Sequence, residues 1–174
     1  MAAELVYVFA AGLLGPIYAI FVQNIGGDIL DAATAYAIFT GTIGLAAIVT
    51  GRIQQGVRNK RALLISGYGL LACGFAGYLF VTNPFQLFVV QAVLGLGWAW
   101  ATPAWDSLFA RSMDHKREIA GWGSFEGVQK LSQAGSAMAG GLIATIFGFH
   151  TLFIGMTAFA IISVIIIASV KEIN

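Results

Sequence analysis

The chain has 174 residues, 59% of them hydrophobic and only 10% charged, with a mean hydropathy of +0.85. Water-soluble domains carry about 25% charged residues, so a chain this apolar cannot cover a globular surface with polar groups, and its solvent is lipid. A formal net charge of +1 gives no electrostatic case for nucleic acid or an acidic partner.

A bilayer core of about 30 Å takes about 20 mostly apolar residues in a helix. Six segments meet that requirement, and they are continuous runs without alternation, which predicts helices and not a barrel. Met1-Ala-Ala-Glu4 lacks the basic start of a cleavable signal, and the stretch after it is too long for one. It reads as the first span, from about Glu4 to Asn24, with a kink predicted at Pro16. Tyr18, Gln23 and Asn24 stand towards its external end, where cavity lining and simple interfacial placement both fit. The second span runs from Ala32 to Thr50 and the third from Ala62 to Val81. The third holds Cys73, the single cysteine, which excludes an intrachain disulfide and reads as a small filler.

The fourth span, from Pro84 to Ala110, starts with a proline suited to a first helical turn and carries an interior one, Pro103, that predicts a kink. Gln91, Gly95, Trp98, Thr102 and Trp105 form a stripe along it. Trp105, close to the membrane boundary, reads as an interface anchor; the deeper Trp98 fits either an anchor or a ligand contact. The fifth span, from Ile119 to Phe147, places Trp122, Glu126, Gln129, Gln133, Ser136 and Gly140 on one face, with Lys130 at its edge. So polar a face does not look at lipid; it meets water or another helix. Glu126 and Lys130 either line a cavity, with Glu126 a proton carrier, or form a structural ion pair near the cytoplasmic end that holds the fifth helix to a neighbour; a glutamate four residues before a lysine can also pair within one helix. The sixth span runs from Thr151 to Val170. Connections are short, so neighbouring spans are antiparallel, and glycine clusters (Gly67/Gly69, Gly74/Gly77, Gly95/Gly97, Gly140/Gly141) let them approach closely.

Orientation follows from the basic residues. Arg52, Arg58, Lys60 and Arg61 lie between the second and third spans, Arg111, Lys116 and Arg117 between the fourth and fifth, and Lys171 follows the sixth. The loops of the other face, 25–31, 82–83 and 148–150, contain no Lys or Arg. Both termini are therefore expected in the cytoplasm, in a multi-pass protein of the cell inner (plasma) membrane. His115 and His150 sit in loops without metal-ligand spacing, and no catalytic triad, phosphate-cradling loop or metal cluster appears, so neither enzyme chemistry nor a cofactor is expected.

With the spans placed, the chain resembles one six-helix half of a major facilitator superfamily transporter. The basic segment Gly51-Arg-Ile-Gln-Gln-Gly-Val-Arg-Asn-Lys-Arg61 lies where that family has its arginine-rich cytoplasmic motif. Gly51, Lys60 and Arg61 match; Gln55 stands at the aspartate position and Arg58 at the later glycine. Gln91-Ala-Val-Leu-Gly-Leu-Gly97 and Thr102-Pro-Ala-Trp-Asp106 are similar to its glycine-rich fourth helix. Gly135-Ser-Ala-Met-Ala-Gly-Gly141 is similar to its antiporter signature, with Ser136 and Ala137 in place of glycine and proline.

The resemblance implies an all-α membrane fold of six transmembrane helices in a single domain, residues 1–174. It also implies a midplane site between two parallel halves. Since one chain supplies one half, a twofold homodimer is expected. The first and fourth helices line the cavity in that family, which makes Gln91 and Trp98 substrate contacts beside Glu126, Gln129, Lys130, Gln133, Tyr18 and Asn24. Asp106 is expected to gate the cytoplasmic side by pairing with Arg58 or Arg52. The function expected is transport of a small organic solute by alternating access. The alternatives are pairing with a different six-helix chain, or a non-transporting protein of membrane assembly, lipid handling or sensing.

Overall fold

The computed structural model describes residues 1–57, 59–113 and 118–170. Among these the regular structure is helical throughout. The first span divides at its proline: α1 (Ala2–Gly12) gives way to a 3₁₀ turn at Gly15–Ile17, and α2 (Tyr18–Asn24) completes the crossing. Then follow α3 (Ile29–Gln54), α4 (Lys60–Gly77), α5 (Pro84–Ser112) and α6 (Glu118–Ser169).

Side chains set the helix starts, and most helices run beyond the lipid-length segments expected from hydropathy. Asp28 accepts from the Asp31 N–H (2.9 Å) while Asp31 accepts from the Asp28 N–H (3.0 Å). This reciprocal cap begins α3 three residues before the apolar run. Asn59 caps α4 through the Ala62 N–H (3.0 Å), and Asn83 caps α5 through the Gln86 N–H (3.1 Å), with Pro84 behind it.

Five helical stretches are long and apolar enough to cross a membrane, and the last, 52 residues long, contains the fifth and sixth expected spans. Its helical geometry breaks at Gly148 (φ 82°, ψ 169°), a region of backbone space open essentially to glycine alone. Contacts with the first span give the direction on either side. Before the break, Gln129 reaches Glu4, Ser136 meets Gly12 and Gly140 meets the Leu13 carbonyl. After it, Phe153 packs on Phe21, Phe159 on Phe9, and Ser163 donates to the Ala3 carbonyl (2.7 Å). The portion before Gly148 runs parallel to the first span, and the portion after it returns antiparallel.

Helices meet where side chains are small. Gly67 faces Ala101, Gly74 faces Leu94 and Gly97 faces Leu71 along the α4–α5 seam; Gly95 lies against the Phe39 carbonyl of α3. Of the paired glycines, Gly69 and Gly141 face open space. The buried centre includes Leu13, Leu71, Leu87, Leu152 and Met156. Helix α3 is the outlier, burying only Ala35, Thr50 and Gln54.

Those last two explain how α5 tolerates Pro103. Proline has no N–H, so the Ala99 carbonyl loses its donor one turn on. Thr50 Oγ1 donates to that carbonyl at 3.0 Å, and Gln54 Nε2 donates to the next one, Trp100, at 2.8 Å. Helix α5 remains continuous through the proline, with α3 supplying what the backbone lacks.

Candidate functional site

A cavity of about 440 Å³ opens among the first turns of α1, the middle of α4, the second half of α5 and the start of α6. Helix α1 contributes Glu4, Tyr7 and Val8, one turn apart and so on one face. Helix α5 contributes Trp98, Thr102, Trp105 and Asp106 at the same spacing. The polar face of α6 adds Trp122, Glu126, Gln129, Lys130 and Gln133. Asp106, Glu126, Lys130 and Gln133 are exposed, whereas Ser136, further along the same face, is fully buried against Gly12. The stripe on α6 is thus divided between cavity lining and helix packing.

Glu4 organises the cavity floor. The Tyr68 hydroxyl of α4 donates to one carboxylate oxygen, and Gln129 Nε2 donates to the other at 3.4 Å. Lys130 Nζ donates to Gln133 Oε1 (3.4 Å). Tyr7 packs edge-on to Tyr68 (5.3 Å between ring centroids) and against Trp98 (5.7 Å). Trp105 stacks on Phe125 (4.9 Å) and tilts against Phe109 (4.6 Å). Trp105 is therefore part of an aromatic wall of the cavity.

The eight expected cavity residues do not share one space. Trp98, Glu126, Gln129, Lys130 and Gln133 come together with Asp106. Gln91 is buried and donates to the Tyr18 hydroxyl (2.6 Å), and both line a smaller cavity of about 280 Å³ on the far side of Tyr7. Asn24 lines a third, about 420 Å³, beside Gly148 and His150. Tyr18 and Asn24 follow the 3₁₀ turn at Gly15–Ile17, further along the first span than Glu4, Tyr7 and Val8 of the cavity, so a shared span did not mean a shared site.

Of the expected gate, the described residues include Asp106 and Arg52. Asp106 belongs to the cavity lining, while Arg52 is exposed in the last turn of α3 and outside that lining; Arg58 lies outside the described residues. Among the described residues, Lys60 reaches α5, its amine donating to Ser107. Lys60 and Arg111 line a separate cavity of about 480 Å³ between the ends of α3, α4 and α5.

Sequence reasoning missed Glu4, Tyr7 and Tyr68. Glu4 was read as the boundary of the first span, although a carboxylate three residues before a tyrosine marks a polar edge on an otherwise apolar helix. Tyr68 carried no signal, because its significance rests on α1.

The family model of the Major Facilitator Superfamily matches residues 1–172. The chain belongs to the Major Facilitator Superfamily. An uncharacterized MFS-type transporter of Bacillus subtilis (strain 168), YitZ, is 26% identical over 145 residues, covering 83% of this chain and 88% of YitZ. A proton-coupled antiporter flippase of Staphylococcus haemolyticus (strain JCSC1435), LtaA, is 30% identical over 83 residues, 48% of this chain and 21% of LtaA. Membership of the superfamily, the apolar helices and the transporter-named relative support a multi-pass membrane protein engaged in membrane transport.

Proposed function

We propose that this chain moves a small organic solute across the plasma membrane by alternating access, as one six-helix half of a transporter completed by a second copy of itself. The cavity carries this reading: Glu4, Asp106, Glu126 and Lys130 converge with glutamines on about 440 Å³ of space within an apolar bundle. Ionisable groups at membrane depth are costly and are kept where they line a pathway. The chain reversal at Gly148 supports six crossings, and the excess of basic residues on one face supports cytoplasmic termini. An even number of crossings lets two copies insert the same way and pair about an axis along the membrane normal. Similarity to YitZ, a transporter-named protein of comparable length, supports function at this size.

Glu126 is the proton carrier in this reading, supported by its exposure in the cavity and by partial similarity to a proton-coupled antiporter. Asp106 closes the cytoplasmic side by meeting the basic segment after α3 in the other state, a contact that differs between states and so can bias them.

Reconstitution into proteoliposomes with a panel of radiolabelled solutes tests this. At least one solute should accumulate under an imposed proton gradient. Glu126→Gln should abolish accumulation while leaving solute-for-solute exchange intact. Uptake equal to that of protein-free vesicles across the panel would reject transport.

A further inference from the structure

Resting on the transport reading above, we infer that the solute of the main cavity is an organic cation with a flat or aromatic body, and that Glu4 is the carboxylate that recognises it. Charge and shape of the lining carry this together. Three carboxylates, Glu4, Asp106 and Glu126, face the cavity against a single lysine, Lys130, whose amine is turned to Gln133. Among the described residues lining it there is no arginine or histidine, so an anionic solute would meet an excess of like charge. Electrostatics of this sign favour a cation and disfavour wrong partners by repulsion.

Glu4 is set up as an acceptor. Both of its carboxylate oxygens face donors, the Tyr68 hydroxyl and the Gln129 amide, so the group is held in a fixed orientation at the cavity. Neither donor carries a charge, so a cation entering the cavity can supply a counter-charge to this carboxyl group. Asp106 and Glu126 are exposed; Glu4 is half-buried and held by two donors, which suits recognition.

The second component is the aromatic wall. Tyr7, Trp98 and Tyr68 form one side and Trp105, Phe125 and Trp122 the other. Ring faces attract a desolvated cation, tryptophan most strongly, and offer flat apolar area to the body that carries the charge. A cavity of about 440 Å³ lies within the range of small-molecule sites. A sugar-like solute would instead call for a dense set of hydroxyl and amide partners.

The test uses the full chain in lipid nanodiscs, with tetraphenylphosphonium as the cationic probe and tetraphenylborate as its anionic counterpart of the same shape. Binding to empty nanodiscs is subtracted from both. Saturable tetraphenylphosphonium binding should be at least about tenfold tighter than tetraphenylborate binding, a difference of about 1.4 kcal/mol. It should quench tryptophan fluorescence, since three of the four tryptophans line the cavity. Glu4→Gln should weaken the cation about tenfold and leave tetraphenylborate unchanged or tighter.

Should Glu4→Gln fail to fold, the cation-to-anion comparison on the unaltered chain still decides. Equal or tighter binding of tetraphenylborate, or no saturable cation binding, overturns the inference. Its failure separates from that of the transport reading. Proteoliposomes that accumulate a neutral or anionic solute without binding tetraphenylphosphonium leave transport standing and remove the cation. Selective cation binding with no solute moved under any gradient keeps the cation site and removes transport.

Discussion

The Ala99 carbonyl shows how one proline is accommodated in lipid. Its backbone donor is removed by Pro103, and Thr50 Oγ1 takes the vacant place at 3.0 Å. Thr50→Val keeps the shape and deletes the donor, so the carbonyl is left unpaired in a buried position. The expected loss is about 0.5–2 kcal/mol, measured by denaturant titration in mixed micelles. Pro103→Ala restores the backbone donor, and the double variant should recover most of that loss; additive losses would show that the hydroxyl is doing something else. Tyr68→Phe acts on the cavity in the same manner, removing one donor from Glu4 without changing packing volume. Tetraphenylphosphonium binding should weaken severalfold, with the unfolding midpoint almost unchanged, in a paired binding and thermal-shift measurement.

Among elements, the seam between α1 and α6 is set by Gly140, where a Cβ would overlap the Leu13 carbonyl. Gly140→Leu should separate the two helices and yield aggregated or rapidly degraded protein, whereas Gly141→Leu, which meets nothing within 4 Å, should yield well-behaved protein. Size-exclusion profiles of the two variants side by side check this. Gly148 poses a different constraint: a Cβ there has room, but φ of 82° does not suit an L side chain. Gly148→Ala should cost about 1–3 kcal/mol through backbone strain alone. The caps of α3, α4 and α5 at Asp28, Asn59 and Asn83 are local signals, each involving residues three apart, that a reading by hydropathy passes over. The expected starts of α3 and α4 fell late because hydropathy marks the lipid-embedded part of a helix, not its ends.

For the whole molecule, α3 buries little within the chain and exposes Ile29, Leu30, Tyr36, Leu45 and Ile48, and the first portion of α6 exposes Leu131, Met138 and Leu142. These faces suit lipid or a second copy, and the exposed polar residues of the main cavity favour a copy that keeps lipid away. Mass photometry in mild detergent should therefore show a two-chain species, and a uniform monomer in nanodiscs at every protein density would remove the homodimer. Inserted in sealed vesicles, an added cysteine at Glu118, near the start of α6, should be labelled only from the face that carries the basic loops.

What the chain's order of residues settled alone was local in origin. Apolar runs, caps, the interior prolines and the polar face of α6 all arise from neighbours within about one or two helical turns. Composition already required lipid, and the charged loops already implied an orientation. Site membership was decided only by tertiary packing. Glu4 and Gln129 meet from positions 125 residues apart, because small residues allow α6 to lie against α1. Tyr18 and Asn24 line other cavities, and Trp105 joins the aromatic wall through Phe125. Local pattern determines which face of a helix is polar; only the packing of helices determines what that face shares its space with.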